Sequence, residues 1–409
     1  MHQPWIVASL MLLAALPAPG GTAGAAAAAE RQMVVAAHPL AADAGIAVLR
    51  GGGNAVDAMV AVQAVLGLVE PQSSGLGGGA FLVYWDAEAE RLTTFDGRET
   101  APLAADGDYF LGVGGEPLPF WEAVVGGRSV GVPGTPKLLD VVHAEHGRLD
   151  WAKLLEPAIT LAEAGFAVTP RLADSIAGAR DLDRFEATAD YFMPGGTPLE
   201  AGTTLTNPAY ARTLEAMQEE RSAPFYEGAI ADAIIAVTTD AGGILTVEDL
   251  RRYAVVEREP VCVGYRGHEV CGMGPPSSGG LTVGQILGLL EHVDMAGLGY
   301  GPRAAHLIAE AGRIAFADRA MYMADSDFVN VPTAGLLDPG YLTVRAQLLD
   351  RDAATPDVAA GMPPWRDARA RAPQAQPERP GTSHFVIVDA MGNALSMTTT
   401  IESGFGSRL

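Results

Sequence analysis

The chain is short of positive charge: 27 Lys and Arg face 49 Asp and Glu, a formal net charge of −22 over 409 residues. Nucleic acids and anionic lipids are held through clustered Lys and Arg, so this balance argues against both as partners. The one dense basic run, residues 366–379, sits in a Pro-rich stretch, PPWRDARARAPQAQPERPG, that reads as solvated, protease-accessible linker. Long apolar runs are lacking too. Residues 5–16 are too few to span a bilayer, and the run 55–69 is interrupted by Asp57 and Gln63. Solenoid-period repeats are absent, which excludes a repeat array. Cysteine is nearly absent, with two residues in CVGYRGHEVC. That spacing lacks paired C-x-x-C units, which argues against a metal site.

What is present begins with an export signature. The apolar run at 5–16 is followed by Pro17, Pro19 and a small-residue tract, the shape of a secretory signal with its cleavage site near Ala25. A positive leading region is missing, since no Lys or Arg precedes Arg31. Export is nevertheless the expectation, with residues 1–25 removed and a periplasmic or secreted product that has no membrane span. The cysteines bear on the same point. A two-residue turn at Arg266-Gly267 pairs Tyr265 with His268 and sets Cys262 opposite Cys271, near bonding range. The pair is either a disulfide or two reduced core cysteines.

Hydrophobic mass is ample for a large core, at 48% of residues. Residues 40–49 read as a helix ending in Gly51-Gly52-Gly53, and a second helix runs from an Asn54 N-cap to about Val69. The second is apolar nearly all round, so it belongs between layers. A glycine loop, SSGLGGGA, leads into the hairpin FLVYWD/RLTTFDGRE, whose first strand is apolar on both faces and is expected to be covered on both. A second hairpin of the same character, HFVIVD/ALSMTTTI, turns at Met391-Gly392-Asn393. Residues 133–241 read as mostly helical, and further helical runs follow the cysteine hairpin. Helices outside and covered strands inside predict a layered α/β sandwich.

Four motifs carry candidate chemistry. The glycine loop matches a dinucleotide pattern, but a helix precedes it and a strand follows, the reverse of what phosphate binding needs. It reads as close backbone packing beside a pocket. Ser277 and Ser278 open a helix and read as caps. Arg98, in DGRETAP, is either a salt-bridged core residue or a fork for a substrate carboxylate. Thr382 stands where the linker meets the second hairpin. It is either an ordinary strand-initial threonine or a nucleophile, because cutting Gly381–Thr382 would leave a free amine beside its hydroxyl.

Together AAHPLAADAGIAVLRGGGNAVDAMVA, EPQSSGLGGGAFLVYW, DGRETAP, GVPGTPKLL, EPAITLAEAGFAVTPRL, VCGMGPPSSGGLTVGQIL, LLDPGYL and GTSHFVIVDAMGNALSMTTTIESGFGS resemble, in order, the γ-glutamyltranspeptidase family of N-terminal-nucleophile hydrolases. The resemblance implies an αββα sandwich made as a self-cleaving precursor. Residues 26–381 would be the large-subunit region, including a linker at 353–381, and 382–409 the start of the small subunit. It implies Thr382 as catalytic nucleophile, with the cut between Gly381 and Thr382. Thr400 would support the nucleophile and the cut, Arg98 would bind the donor α-carboxylate, and Glu402 its α-amino group. The implied activity is γ-glutamyl transfer or hydrolysis through a glutamyl-threonine ester. Glutathione would be the donor and water, an amino acid or a peptide the acceptor, with no metal or organic cofactor.

The family's pattern continues beyond Leu409 with a glycine pair for the oxyanion, a serine pair and an acidic residue for the donor. One oxyanion donor is worth on the order of 10²–10³ in rate, so the expectation is a sandwich incomplete at its C-terminus and inactive by itself. Two rivals are a cephalosporin (β-lactam) acylase of the same fold and a non-catalytic fragment.

Overall fold

The chain buries the apolar helix Ala55–Val69 between a sheet and a second layer of helices; of its residues only Gly67 is not buried. Its start is fixed by a reciprocal cap: Asn54 Oδ1 accepts from Asp57 N and Asp57 Oδ2 accepts from Asn54 N, both at 2.9 Å. The helices Pro39–Arg50 and Thr135–His146 flank it on the sheet, and Trp151–Ala164 and Pro208–Glu220 pack outside it. The computed structural model describes residues 31–367, 371–374 and 381–409. The expected signal, residues 1–25, and parts of the expected linker 353–381 lie outside the described residues. Among those described, no helix is long and apolar enough to cross a membrane.

Ten strands occur among the described residues: β1 (Met33–Val35), β2 (Gly79–Asp86), β3 (Arg91–Gly97), β4 (Phe166–Ala167), β5 (Thr204–Leu205), β6 (Val256–Arg258), β7 (Val261–Tyr265), β8 (His268–Gly272), β9 (Thr382–Val388) and β10 (Ala394–Thr400). Six form one sheet in the order β1-β9-β10-β2-β3-β6, antiparallel throughout. The two hairpins read from sequence thus lie side by side at its centre. Beyond the sheet, Gly279–Leu290, Pro302–Tyr322 and Pro339–Ala346 form a helical lobe with apolar clusters of its own. The mixed α/β class read from the sequence is the class observed.

The expected covering of both strand faces is not what the structure has. Along β9, Ser383, Phe385 and Ile387 are buried on the helical side while His384, Val386 and Val388 are exposed. Trp85 and Val35 are exposed as well. In β2 both faces are apolar, so alternation is invisible there, but β10 alternates Leu395 and Met397 with Ser396 and Thr398, and the described helices cover one face. The cysteine hairpin has the register the two-residue turn dictates: Tyr265 faces His268 and Cys262 faces Cys271, and the two sulfurs are bonded. Arg266 and Gly267 both take positive φ, 50° and 80°, as a tight turn of this hand needs.

Candidate active site

Sheet register assembles the site. Thr400, the last residue of β10, pairs with Thr382 on one side and with Gly79 on the other. Thr382, first in β9, therefore stands beside Thr400, and its hydroxyl donates to Thr400 Oγ1 at 3.2 Å. The Thr400 hydroxyl donates to the Gly381 carbonyl at 2.7 Å and accepts from Glu402 N at 2.9 Å. One donor and two acceptor positions are all a hydroxyl has, so this one is fully used. It is 5% exposed. The arrangement aims a polarising proton at the carbonyl preceding Thr382 and fixes where the Thr382 proton points. Nothing in it makes Thr400 a base.

The glycine loop explains how the backbone comes so close. A Cβ on Gly78 would collide with the Thr400 carbonyl oxygen, and one on Gly79 would lie 2.7 Å from Glu99 Oε2 and 2.8 Å from Arg98 Cα. Glycine is required for contact with both candidate residues, not for torsional freedom.

Arg98 leaves the end of β3 with its fork divided between two carboxylates: Nε lies 3.1 Å from Glu99 Oε2 and Nη2 3.0 Å from Glu402 Oε2. Its guanidinium also lies 5.9 Å from the centre of the Phe81 ring. Burial works against the charge, but Glu99 and Glu402 outweigh it and hold the pKa above its usual value. Burial pushes the Glu99 carboxyl up, with Arg98 pulling the other way. Glu402 is 81% exposed in its side chain and adopts φ 72°, a left-handed conformation that costs a non-glycine residue about 1 kcal/mol or more. That conformation turns its N–H to Thr400 while its carboxylate reaches Arg98.

A cavity of about 980 Å³ is lined by Arg98, Glu99, Thr382, Thr400, Glu402 and Phe405 among others. The structure so brings together Thr382, Thr400, Arg98 and Glu402, with Gly381 hydrogen-bonded at the rim. Gln374, from the linker, also lines the cavity. Cys262 and Cys271 lie outside its lining. With Glu269 they form a group close enough to hold a metal ion, but the two sulfurs are spent on each other. Ser278 stands at the N-cap position and Ser277 Oγ accepts from Gly279 N at 3.3 Å, but the Ser278 side chain makes no cap bond; its Oγ accepts from Arg319 Nε at 2.9 Å. Sequence reading missed Glu99, although its place beside Arg98 was the available signal.

Comparison with known proteins points to one family. The family described as Gamma-glutamyltranspeptidase matches residues 41–409. The chain is 39% identical over 384 residues to the glutathione hydrolase proenzyme of Bacillus subtilis (strain 168), covering 92% of itself and 65% of that relative. It is 38% identical over 385 residues to the acylase ACY 1 proenzyme of Pseudomonas sp. (strain V22), covering 92% of itself and 66% of that protein. It therefore spans just under two thirds of the length of these relatives. Among solved structures, it resembles the Helicobacter pylori γ-glutamyltranspeptidase at TM-score 0.78 and 36% identity, over 82% of this chain and 97% of that one. It resembles the Bacillus halodurans cephalosporin acylase at TM-score 0.79 and 28% identity, over 97% of this chain and 70% of that one. With a family match across nine tenths of its length, this chain belongs to the γ-glutamyltranspeptidase family.

Proposed function

We propose that this chain carries the nucleophile and the donor-recognition residues of a γ-glutamyl transferase/hydrolase. The observation that carries the reading is the hydroxyl cluster at the Gly381–Thr382 bond, in one cavity with the Arg98–Glu402 pair. The Thr382 hydroxyl attacks the Gly381 carbonyl carbon while Thr400 donates to its oxygen. The C–N bond breaks, its nitrogen takes the proton, and water hydrolyses the resulting ester. Thr382 is left with a free α-amine beside its own hydroxyl.

In turnover the Thr382 oxygen attacks the γ-amide carbonyl of the donor. The α-amine takes the hydroxyl proton and passes it to the departing amine. Water or an acceptor amine then releases the γ-glutamyl group from the ester. The donor's amino-acid end is a zwitterion and needs one cation and one anion. Arg98 supplies the first and Glu402 the second, and binding exchanges their mutual bond for two bonds to the donor. Glutathione fits as donor, with water, an amino acid or a peptide as acceptor.

On this reading residues 26–381 are the large-subunit region with a linker at 353–381, and 382–409 begin the small subunit. Export to the periplasm or outside the cell is supported by the leader-like composition of residues 1–25 and by the bonded cysteine pair.

Mass spectrometry of the purified protein tests the cut: a new N-terminus at Thr382 is expected, and its loss in Thr382→Ala. An intact chain under conditions that keep it folded refutes self-processing. Release of amine from a γ-glutamyl anilide by the enzyme of the relatives' full length, with none from a glutaryl-cephalosporin, separates this activity from that of an acylase. The Arg98–Glu402 pair favours the first, because a glutaryl group has no α-amine for Glu402.

A further inference from the structure

Arg98 is gripped by its backbone as well as by its charges. Its N–H donates to Asp96 Oδ1 at 3.0 Å, and its carbonyl accepts from the Tyr253 hydroxyl at 2.8 Å. The other oxygen of Asp96 accepts from Arg258 Nε at 2.7 Å. The two terminal nitrogens of Arg258 donate in a fork to Asp327 Oδ1 and Oδ2, at 2.9 and 2.8 Å. Tyr253 and Arg258 come from one short segment, which enters the sheet as the strand β6 beside β3. Thr94 of β3 donates its hydroxyl to the Arg258 carbonyl at 2.5 Å, fixing that pairing. A single segment thus holds both sides of Arg98.

Burial decides which of these bonds matters most. Side-chain exposure is 8% for Asp96 and 15% for Arg258, against 53% for Asp327. A buried carboxylate is costly without its partners, so Asp96 depends on Arg258. Without that guanidinium its Oδ2 has lost its partner and the carboxylate is free to turn, which loosens the acceptor that holds the Arg98 N–H. Neither Arg258 nor Asp327 lines the cavity.

We propose that Arg258 is a positioning residue that acts through Asp96 to fix Arg98, and so sets the affinity of the site for a donor's α-carboxylate. Asp327, on the loop after the helix Pro302–Tyr322, braces Arg258 and ties the cavity to the helical lobe. The role in affinity rests on the reading of Arg98 under Proposed function; the positioning itself does not.

Two measurements test it. The first is hydrogen exchange at the Arg98 amide, with the amides of β9 and β10 as the control for folding. In Arg258→Met the Arg98 amide is expected to exchange about 10–100-fold faster, the loss of one charge-assisted bond, while the control amides hold their protection. Asp327→Asn, which keeps the buried pair, is expected to move it the same way by about threefold or less, and supplies the answer should Arg258→Met fail to fold. The second, made on the enzyme of the relatives' full length, is turnover of a γ-glutamyl anilide against its α-carboxamide analogue. Arg258→Met is expected to cut the preference for the carboxylate about tenfold or more, through KM and not kcat, with Arg258→Lys restoring part of it. Unchanged exchange at Arg98, or equal loss on both donors, overturns the proposal. If the unsubstituted enzyme of the relatives' full length turns over neither donor, the functional reading fails, and the exchange measurement still decides the positioning role.

Discussion

Replacing Thr400 by valine removes one hydroxyl while keeping the branched shape that suits a strand. Three bonds go with it: the donor to Gly381 O at 2.7 Å and the acceptors for Glu402 N at 2.9 Å and Thr382 Oγ1 at 3.2 Å. Two of the groups left behind are backbone groups beside a residue 5% exposed, so stability should fall by about 2–3 kcal/mol, near 1 kcal/mol for each unpaired group plus a small packing term. The kinetic effect is separate and larger. As Thr382 attacks, negative charge grows on Gly381 O, where the Thr400 proton already points. Losing one such donor costs on the order of 10²–10³ in rate. Conversion of precursor to cut chains, followed over time by mass spectrometry at a temperature where both proteins are folded, measures it. Thr400→Ser keeps the hydroxyl and should stay within about tenfold of the unsubstituted rate. If Thr400→Val cuts within about threefold of the unsubstituted chain, the hydroxyl does not polarise the scissile carbonyl and the reasoning is wrong.

Other perturbations probe the neighbouring contacts. Arg98→Lys replaces a fork that reaches Glu99 and Glu402 at once with a point charge that can serve one of them, so KM for a γ-glutamyl anilide should rise about 10–100-fold with a smaller change in kcat. Gly78→Ala sets a methyl against the Thr400 carbonyl oxygen, and a denaturant titration should find a loss of about 1–3 kcal/mol, with self-cleavage slowed in parallel. Glu310 accepts from Thr355 N at 2.7 Å and Arg313 Nη1 at 2.8 Å, and these bonds lower its pKa from the usual 4.5 to about 2. A depressed carboxylate stabilises above its unfolded pKa, and that contribution drains away as pH falls from about 4.5 toward about 2. Glu310→Gln should therefore cost about 1–2 kcal/mol at pH 7 and little near pH 2, as thermal melts across that window can check.

Local elements were legible because their signals are local. The Asn54 cap, the start and stop of Ala55–Val69, and the Tyr265–His268 register follow from capping chemistry and turn length. The cavity residues are of another kind. Arg98 and Glu402 lie 304 positions apart, and no periodicity relates them. They were found through the ordered motifs they share with a family, while the residues alone left Arg98 as readily structural as functional. Glu99, Asp96, Arg258 and Asp327 escaped because a carboxylate or guanidinium in sequence does not say what it faces. The open sheet face escaped for the opposite reason. Val386, Val388, Val35 and Trp85 put apolar side chains on it beside His384, Ser396 and Thr398, and an apolar residue in sequence does not say whether the chain covers it.

The site depends less on any single side chain than on one row of the sheet. Gly79, Thr400 and Thr382 occupy three adjacent strands in a line across the sheet, and Gly97, paired with Ala80, brings Arg98 to the end of the same row. Side chains alternate along a strand, so a slip of one residue in β9 would send Thr382 into the helical core and Ser383 into the cavity. Asp389 guards against that slip. It is 2% exposed, and its Oδ1 accepts from Met391 N and Asn393 N at 2.9 and 3.0 Å, closing the turn between β9 and β10. Its Oδ2 accepts from Asn393 Nδ2 at 2.8 Å and from Ala55 N at 2.9 Å, the first residue of the buried helix. The turn is thereby fastened to that helix at the far end of the hairpin from Thr382. With both strands seven residues long, fixing the turn fixes which residue opposes Thr400. The position of Thr382 is thus set by a carboxylate at the opposite end of its own hairpin, through register and without contact.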